Sequence, residues 1–456
     1  MSLSRELAIF AANLRYEDLP TAVIDRVKGV TLQALTSALL ARDMPPTIQA
    51  LAMMQEEEAG GGGVATVLCS GAKLTKGGAA FVNAEMIFAG GKWDTFRMLT
   101  HPGIAIFPAA LAAAEVTGCS GREFITAIAA AYEILERMAA DFIPTIMSRG
   151  FHAGPVFGIF GAAVAAAKIH GMNADQIHGA IAQCVNLASG NLEGGRSGGK
   201  ALREGGAVRN ALLAVALSKH GTPAGETTLE GEAGFYHAYT GNNLGVLRYS
   251  YTGDNKTDLA KITAGLGKDW MFLETLYRVY STAGYNIAHV DVTAALCREN
   301  NITYKDIDRI EAVVNWFETE YPSPAFPSRG GSPEVGSTQY FSAYGAATGG
   351  YPLVRGDRPG PGESDPPEVL DLMHRVKIIP MVRRTLFGPR VTVFCKDGRV
   401  VTKEGTGREF IWDFETHAKR MAPVGEKAPQ YAGLVGVCRG LDSAERAGSA
   451  LIGATI

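Results

Sequence analysis

The chain has 456 residues, 46% of them hydrophobic and 20% charged, the ordinary balance of a globular protein with a sizeable core and two or three domains. A formal net charge of -3 offers no electrostatic footprint for nucleic acid or an acidic membrane surface. The six cysteines, Cys69, Cys119, Cys184, Cys297, Cys395 and Cys438, form no CxxC pair. That spacing argues against a zinc-finger site and a disulfide framework, and points to small buried hydrophobes in a reducing, cytoplasmic setting.

The chain opens with MSLSRELAIFAANLRYEDLP, carrying Arg5 and Glu6 and no apolar stretch, so it does not read as a signal peptide. Residues 1–265 read as predominantly helical. Met1–Leu14 and Leu19–Ala41 have apolar residues at helical spacing, with a turn at Tyr16–Pro20 between them. Gly60–Gly63 is a short flexible loop. Ala105–Val116, Gly121–Ala140, Pro155–His170, Asn173–Ser189 and Gly205–His220 follow as helices. Several are nearly all Ala, Gly and Val, so they belong inside a helical core. The apolar run Ala153–Ala167 falls short of the roughly 18–20 residues that span a bilayer. Gly171, Gly190 and Gly221 stand at expected C-terminal caps, and Asn173 and Asp175 suit a helix start.

The character changes near Asp269. Ile287–Glu299 is a helix stopped by Asn300–Asn301, and Arg309–Tyr321 alternates with β-branched and aromatic residues as a strand does. Ser332–Thr348 reads as helix, Leu353–Pro367 as loop, Pro367–Met373 as a short helix and His374–Pro380 as a strand. Arg390–Phe394 and Arg399–Lys403 flank Lys396-Asp397-Gly398, a hairpin signal. The tail from Lys427 to Ile456 is weakly periodic. The expected architecture is mainly α with an α+β second domain: a helical domain over residues 1–265, completed by 405–456, and an α/β domain over 266–404.

Histidine at a loop–helix junction is the first chemical signal. His101 lies in THPG ahead of an apolar helix, and His152 precedes Pro155 and the next one. Each can be a structural hydrogen-bonder or cap. Each can also be an acid or base near neutral pH, at a helix N-terminus that favours anions. The stretch GGRSGGKALREGG brings Arg196, Lys200 and Arg203 into a glycine-rich loop suited to an anion, or to a solvated surface. It is not a P-loop, because Ala201 follows Lys200. His170, His178, His220, His237, His374 and His417 fit helix ends or surfaces better than chemistry.

In order along the chain stand GGKWDTFRMLTHPGIAIFPAALAAAE, GFHAGPVFGIFGAAVAAAKIHG, NLASGNLEGGRSGGKALREGGAVRNALL, LEGEAGF, PEVLDLMHRVKIIP and RVTVFCKDGRVV. Together, from about residue 5 to about residue 420, this series resembles the MmgE/PrpD family. That family includes 2-methylcitrate dehydratase, cis-aconitate decarboxylase and iminodisuccinate epimerase. The resemblance implies a large helical domain, a smaller α/β lid domain, an active site between them and a homodimer. It implies a cofactor-independent enzyme, with no metal, acting on a small di- or tricarboxylate. Its chemistry begins at a carbon alpha to a carboxylate.

Residue by residue, the resemblance puts His101 and His152 in the base role, and Lys200 and Tyr340 among the catalytic residues. It puts Asp94, Thr95, Arg203 and Arg278 against the substrate. Tyr340 alternatively reads as a core aromatic. The sequence departs from the family at Gly91 and Trp93, where two Asp are usual, and at Arg203, where His is usual. Arg278 replaces a Lys, Ala283 a His of some members, and Ile287 another His, with His289 near. Arginine keeps the charge and grips a carboxylate with two bonds, but does not exchange protons. These departures put standard dehydratase chemistry in doubt. The expected activity is a lyase of dehydratase or decarboxylase type. An epimerase of a dicarboxylate such as iminodisuccinate is the second reading, and a non-catalytic carboxylate binder the third.

Overall fold

The computed structural model describes residues 1–196, 202–241, 250–251, 258–280, 282–320, 322–323, 326–327, 333–352 and 365–456. The fold is mostly helical, with a smaller mixed sheet. Two compact units divide it. The first is Met1–Arg248, Asn255–Val279 and Trp412–Ile456; the second is Tyr249–Asp254 and Tyr280–Ile411.

The heart of the first unit is three helices, Pro102–Thr117, Gly121–Ala139 and Ala153–Ile169. Every residue from Pro102 to Ala114 is buried, as a helix apolar on all faces requires. Small residues bring the axes close. A Cβ placed on Gly158 would lie 3.0 Å from the Ala105 Cβ, and one on Gly161 would lie 2.7 Å from Leu135 Cδ1. Polar ends keep the register. Pro102 opens the first helix, where its missing N–H costs nothing. Ser120 and Glu123 form a capping box on the second. Asn173 and Gln176 do the same for the helix Ala174–Leu187. Gly171, at φ +65°, turns the chain out of the helix before it.

Charged side chains on the helix Gly121–Ala139 reach across to fasten the segment near residues 262–275. Arg137 donates to the carbonyls of Ile262 (3.3 Å) and Ala264 (2.5 Å) and pairs with buried Glu133. Glu133 Oε2 in turn accepts from the Phe272 N–H at 2.9 Å. Glu136 accepts from the Thr275 hydroxyl, and Arg26 donates to the Thr275 carbonyl. Helices Pro45–Glu57, Lys76–Ala89 and Phe414–Gly425 complete the unit; none of the three was anticipated. The weakly periodic tail forms Tyr431–Arg439 and Ala447–Gly453. These short helices pack against Thr21–Ala41 and Pro102–Thr117 respectively. Glycine makes the second contact feasible, since a Cβ on Gly448 would sit 2.8 Å from the Glu115 nitrogen.

The second unit holds a four-stranded sheet. Its strands are β1 (Ile307–Asn315), β2 (Val376–Met381), β3 (Arg390–Cys395) and β4 (Val400–Glu404), in the order β2-β1-β3-β4. β1 runs parallel to β2 and antiparallel to β3, with Ile310 opposite both Val376 and Val393. The β3–β4 hairpin turns at Gly398, φ +92°. Ile310, Ala312, Val391 and Val393 share a core with the helices Gly284–Glu299 and Thr338–Thr348.

Two expected boundaries shift. The strand expected over Arg309–Tyr321 stops at Asn315. There the Asn315 side chain accepts from the Phe317 N–H (3.0 Å) and starts the helical turn Trp316–Thr319. The helix expected from Ser332 begins at Thr338, where Ser337 caps the Tyr340 N–H at 3.1 Å. Residues 353–364 of the expected loop lie outside the described residues. All six cysteines are free, five of them buried. No described helix is long and apolar enough to cross a membrane.

Candidate active site

The segment 92–101 and the segment 275–278 come together in the first unit through a short antiparallel bridge. Thr95 N–H donates to the Leu276 carbonyl (2.9 Å), and Leu276 N–H donates back to the Thr95 carbonyl (2.8 Å). Behind the bridge, fully buried Gln33 clamps both strands. Its Nε2 donates to the carbonyls of Lys92 (2.9 Å) and Arg278 (2.6 Å). This pairing sets five side chains side by side: Trp93, Asp94, Thr95, His101 and Arg278.

His101 is the N-cap residue of the helix Pro102–Thr117 and is buried. Its Nδ1 lies 2.9 Å from the Asp94 carbonyl oxygen and 3.3 Å from the Thr95 hydroxyl. A carbonyl only accepts, so Nδ1 carries the proton in the neutral ring. The lone pair is then on Nε2, which is the form a general base needs.

Asp94 holds this arrangement from below. Both carboxylate oxygens lie 3.1 Å from the Gly103 N–H, and Tyr132 donates its phenol to Oδ2 at 2.6 Å. Gly103 is needed there, because a Cβ would meet the Tyr132 hydroxyl at 2.8 Å. Burial drives the Asp94 carboxyl up to about 6, against the lowering effect of the Tyr132 and Gly103 hydrogen bonds. The Asp94 side chain is thus tied up in capping a helix, and its backbone carbonyl orients the histidine.

Trp93 lies beside His101. Its indole N–H is bound to the carbonyls of Ile87 (3.1 Å) and Phe88 (2.9 Å). Its ring stacks on Phe88 at 4.8 Å and meets the His101 ring at 4.7 Å. The Arg278 guanidinium carbon sits 4.6 Å from the Trp93 ring centroid, within cation–π range.

His152 caps the neighbouring helix Ala153–Ile169. Its Nδ1 accepts from the Gly154 N–H at 3.1 Å, so the neutral ring carries its proton on Nε2. Glu204 Oε1 lies 3.8 Å from the same Nδ1. The two histidines therefore hold opposite tautomers, with the lone pair on Nε2 in His101 and the proton on Nε2 in His152. Ala105 and Gly158, which touch, lie four and six residues beyond them. At about 1.5 Å of rise per residue, each histidine sits within roughly two turns of that contact.

Lys200 lies outside the described residues, and Arg203 stands in the first turn of the helix Leu202–Lys219. Tyr340 belongs to the second unit. It is fully buried, and its hydroxyl donates to Asp365 Oδ1 at 2.6 Å. Burial, and then that hydrogen bond, hold the phenol well above its usual range. His289, also in the second unit, is buried and bonded through Nδ1 to the Ser342 hydroxyl at 2.9 Å; burial lowers it to about 3. Two histidines expected at helix ends or surfaces are buried instead, His178 and His417. Their helices carry them on core-facing sides. No group of three or more His, Cys, Asp or Glu suited to a metal ion occurs among the described residues.

Sequence reasoning missed Tyr132 and Gln33. Each lies in an apolar helical stretch whose periodicity marks only burial. Each acts through a partner remote in sequence, so no local motif announces it.

Residues 5–245 match the MmgE/PrpD N-terminal domain. Among curated proteins, the chain is similar to the cis-aconitate decarboxylase-like protein oryM of Aspergillus oryzae. The two are 24% identical over 426 residues, covering 88% of this chain and 85% of that protein. It is also similar to the cis-aconitate decarboxylase of Aspergillus terreus, 27% identical over 62% of this chain and 57% of that protein. The cis-aconitate decarboxylase of Homo sapiens is 29% identical over 42% of each chain. Since the domain match covers more than half of its residues, the chain belongs to the MmgE/PrpD family.

Proposed function

We propose that the protein is a cofactor-independent lyase, of dehydratase or decarboxylase type, that moves a proton at the carbon alpha to a carboxylate of a small di- or tricarboxylate. The observation that carries this reading is the bond from His101 Nδ1 to the Asp94 carbonyl. It commits the ring to the tautomer with a basic Nε2, next to the indole on which Arg278 rests. His101 takes the alpha proton. The charge left behind spreads into the carboxylate, where Arg278, with Thr95, Lys200 and Arg203, stabilises it by charge and hydrogen bonds. His152, with its proton on Nε2, is the acid. In a dehydration it delivers that proton to the departing hydroxyl; in a decarboxylation His101 removes no proton, because the electron pair of the breaking carbon–carboxylate bond becomes the carbanion pair, and His152 protonates the carbon from which carbon dioxide has left. The relatives' names, cis-aconitate decarboxylase, support the decarboxylation branch.

The opposed tautomers also favour a second reading, an epimerase of a dicarboxylate such as iminodisuccinate. There one histidine removes the proton and the other returns one from the opposite face. Solvent deuterium separates the two. An epimerase washes deuterium into unchanged substrate, whereas a lyase releases carbon dioxide or forms a new ultraviolet-absorbing double bond. His101→Ala should abolish proton removal, and the double variant with His152→Ala should abolish turnover. Near-normal activity in the double variant would overturn this assignment.

A further inference from the structure

Between Thr95 and His101 the chain reverses through a strained turn. The Phe96 N–H donates to the Thr100 carbonyl at 2.9 Å and closes the turn over 96–100. Two residues inside it, Arg97 and Leu99, lie at φ +49° and +50°. The left-handed region is unfavourable for a residue with a Cβ, and neither residue is one of the Gly, Asn or Asp that tolerate it. Such outliers persist only where their surroundings over-determine them, and they cluster at functional sites. Phe96, Met98 and Thr100 are buried, so alternate side chains are fixed inward and the residues between them carry the strain. The reversal is what brings His101 Nδ1 back to the Asp94 carbonyl at 2.9 Å and to the Thr95 hydroxyl at 3.3 Å.

Arg97 meets acceptors from two other segments. Its Nη2 lies 3.3 Å from Glu274 Oε2. Its Nη1 lies 3.6 Å from Asp141 Oδ1 and donates to the Ala140 carbonyl at 3.4 Å. Ala140 and Asp141 directly follow the helix Gly121–Ala139. Glu274 ends the helical turn Met271–Glu274, two residues before Leu276 pairs with Thr95. One guanidinium therefore ties the strained turn both to the scaffold helix and to the segment bridged to Thr95. The two carboxylates are partly exposed, so the ion pairs add little to global stability. Their effect is local. A planar fork held by several acceptors has few ways to turn, and here it anchors a residue whose backbone is held in a disfavoured conformation.

We infer that Arg97 is a positioning residue for the proposed base: it holds the turn 96–100 in the conformation that sets the His101 ring against the Asp94 carbonyl, and so fixes which ring nitrogen carries the proton, an assignment that rests on the base role proposed for His101.

The tautomer is read without any substrate. The full chain is labelled at the histidine ring nitrogens and followed by NMR at about pH 8, where a free imidazole is neutral. Loss of signals in His101→Ala identifies the ring. The wild type should show His101 protonated on Nδ1 alone. Arg97→Gln, which removes the charge, should lose that single form and show a mixture with the Nε2–H form. Glu274→Gln combined with Asp141→Asn should do the same with Arg97 in place, and this variant decides the question should Arg97→Gln not fold. Arg97→Lys, which keeps the charge, should return Nδ1–H as the main form. His101 remaining on Nδ1 alone in the folded variants, with only the thermal midpoint lowered, would overturn the inference. Buried Phe96 and Met98 would then hold the turn unaided, and the base role of His101 would stand. A wild-type ring protonated on Nε2 would instead remove that base role, and the positioning role of Arg97 with it.

Discussion

Replacing Asp94 by Asn removes a buried charge while preserving the shape of the side chain. Burial pushes the Asp94 carboxyl from its ordinary 3.8 up to about 6. A folded protein with such a group binds more protons than its unfolded chain between those two values. Its stability therefore falls as the pH rises through that window, by about 3 kcal/mol in total at about 1.36 kcal/mol per pH unit. An Asn whose Oδ1 takes the place of Oδ2 keeps the Tyr132 bond (2.6 Å) and one Gly103 bond (3.1 Å). Its Nδ2 then faces the Gly103 N–H, donor against donor, which costs about 1 kcal/mol. The net expectation is that Asp94→Asn is more stable than the wild type at pH 8 by about 2 kcal/mol. The advantage should shrink toward zero or below at pH 4, where the wild-type carboxyl is protonated. Urea denaturation at pH 4, 6 and 8 measures it. The His101 tautomer depends on the backbone carbonyl of residue 94, so this stability gain is separate from catalysis. A variant less stable than the wild type at pH 8, or one with an unchanged pH dependence between pH 4 and 7, would show that the capping bonds outweigh burial and refute the reasoning.

Two further substitutions probe the stack behind the site. Gly29→Ala would put a Cβ 1.8 Å from the Tyr277 hydroxyl oxygen, and should cost about 1–3 kcal/mol as overpacking does. Tyr277→Phe removes a buried hydroxyl that has no hydrogen-bond partner. It should be neutral or stabilising by about 1 kcal/mol and should relieve part of the Gly29→Ala cost, because the ring carbon Cζ would still lie 2.6 Å from the new methyl. Thermal denaturation of the full double-mutant cycle reads the coupling, and additive effects would contradict the contact. His417 stacks on Tyr277 at 3.8 Å, fully buried, and burial lowers it to about 3. Because the folded form resists protonation, stability is lost as the pH falls below the unfolded value of 6.5, by about 2 kcal/mol at pH 5. His417→Phe keeps the stack, and should reduce this acid loss without abolishing it, since His289 contributes in the same direction. An unchanged midpoint difference between pH 7 and 5 would contradict it.

Much of the fold was legible because hydrophobic period and end signals agree. The Ala- and Gly-rich stretches at 105–116 and 155–170 could only be buried helices. Asn173 at a helix start, and Asp397-Gly398 at a hairpin turn, each specify a local hydrogen-bond pattern that the structure contains. Where the reading slipped, a side chain acted across the fold. Asn315 ends β1 by capping the next turn while also donating to the carbonyls of Tyr251 (3.0 Å) and Arg384 (2.6 Å). The tail helices are too short and too glycine-rich to announce themselves, and close packing against Thr21–Ala41 and Pro102–Thr117 holds them.

The candidate site divides the same way. Sequence alone determined that His101 and His152 sit at helix starts, because Pro and apolar runs follow them, and that the chain carries the succession of motifs of its family. Only the tertiary structure decided what those residues can do. The proton of His101 is placed by the carbonyl of Asp94, that of His152 by the Gly154 N–H, and Arg278 is brought to Trp93 by a bridge joining segments about 180 residues apart. A tautomer and a stacking partner depend on which atoms face each other in space, and periodicity along a chain holds no record of that.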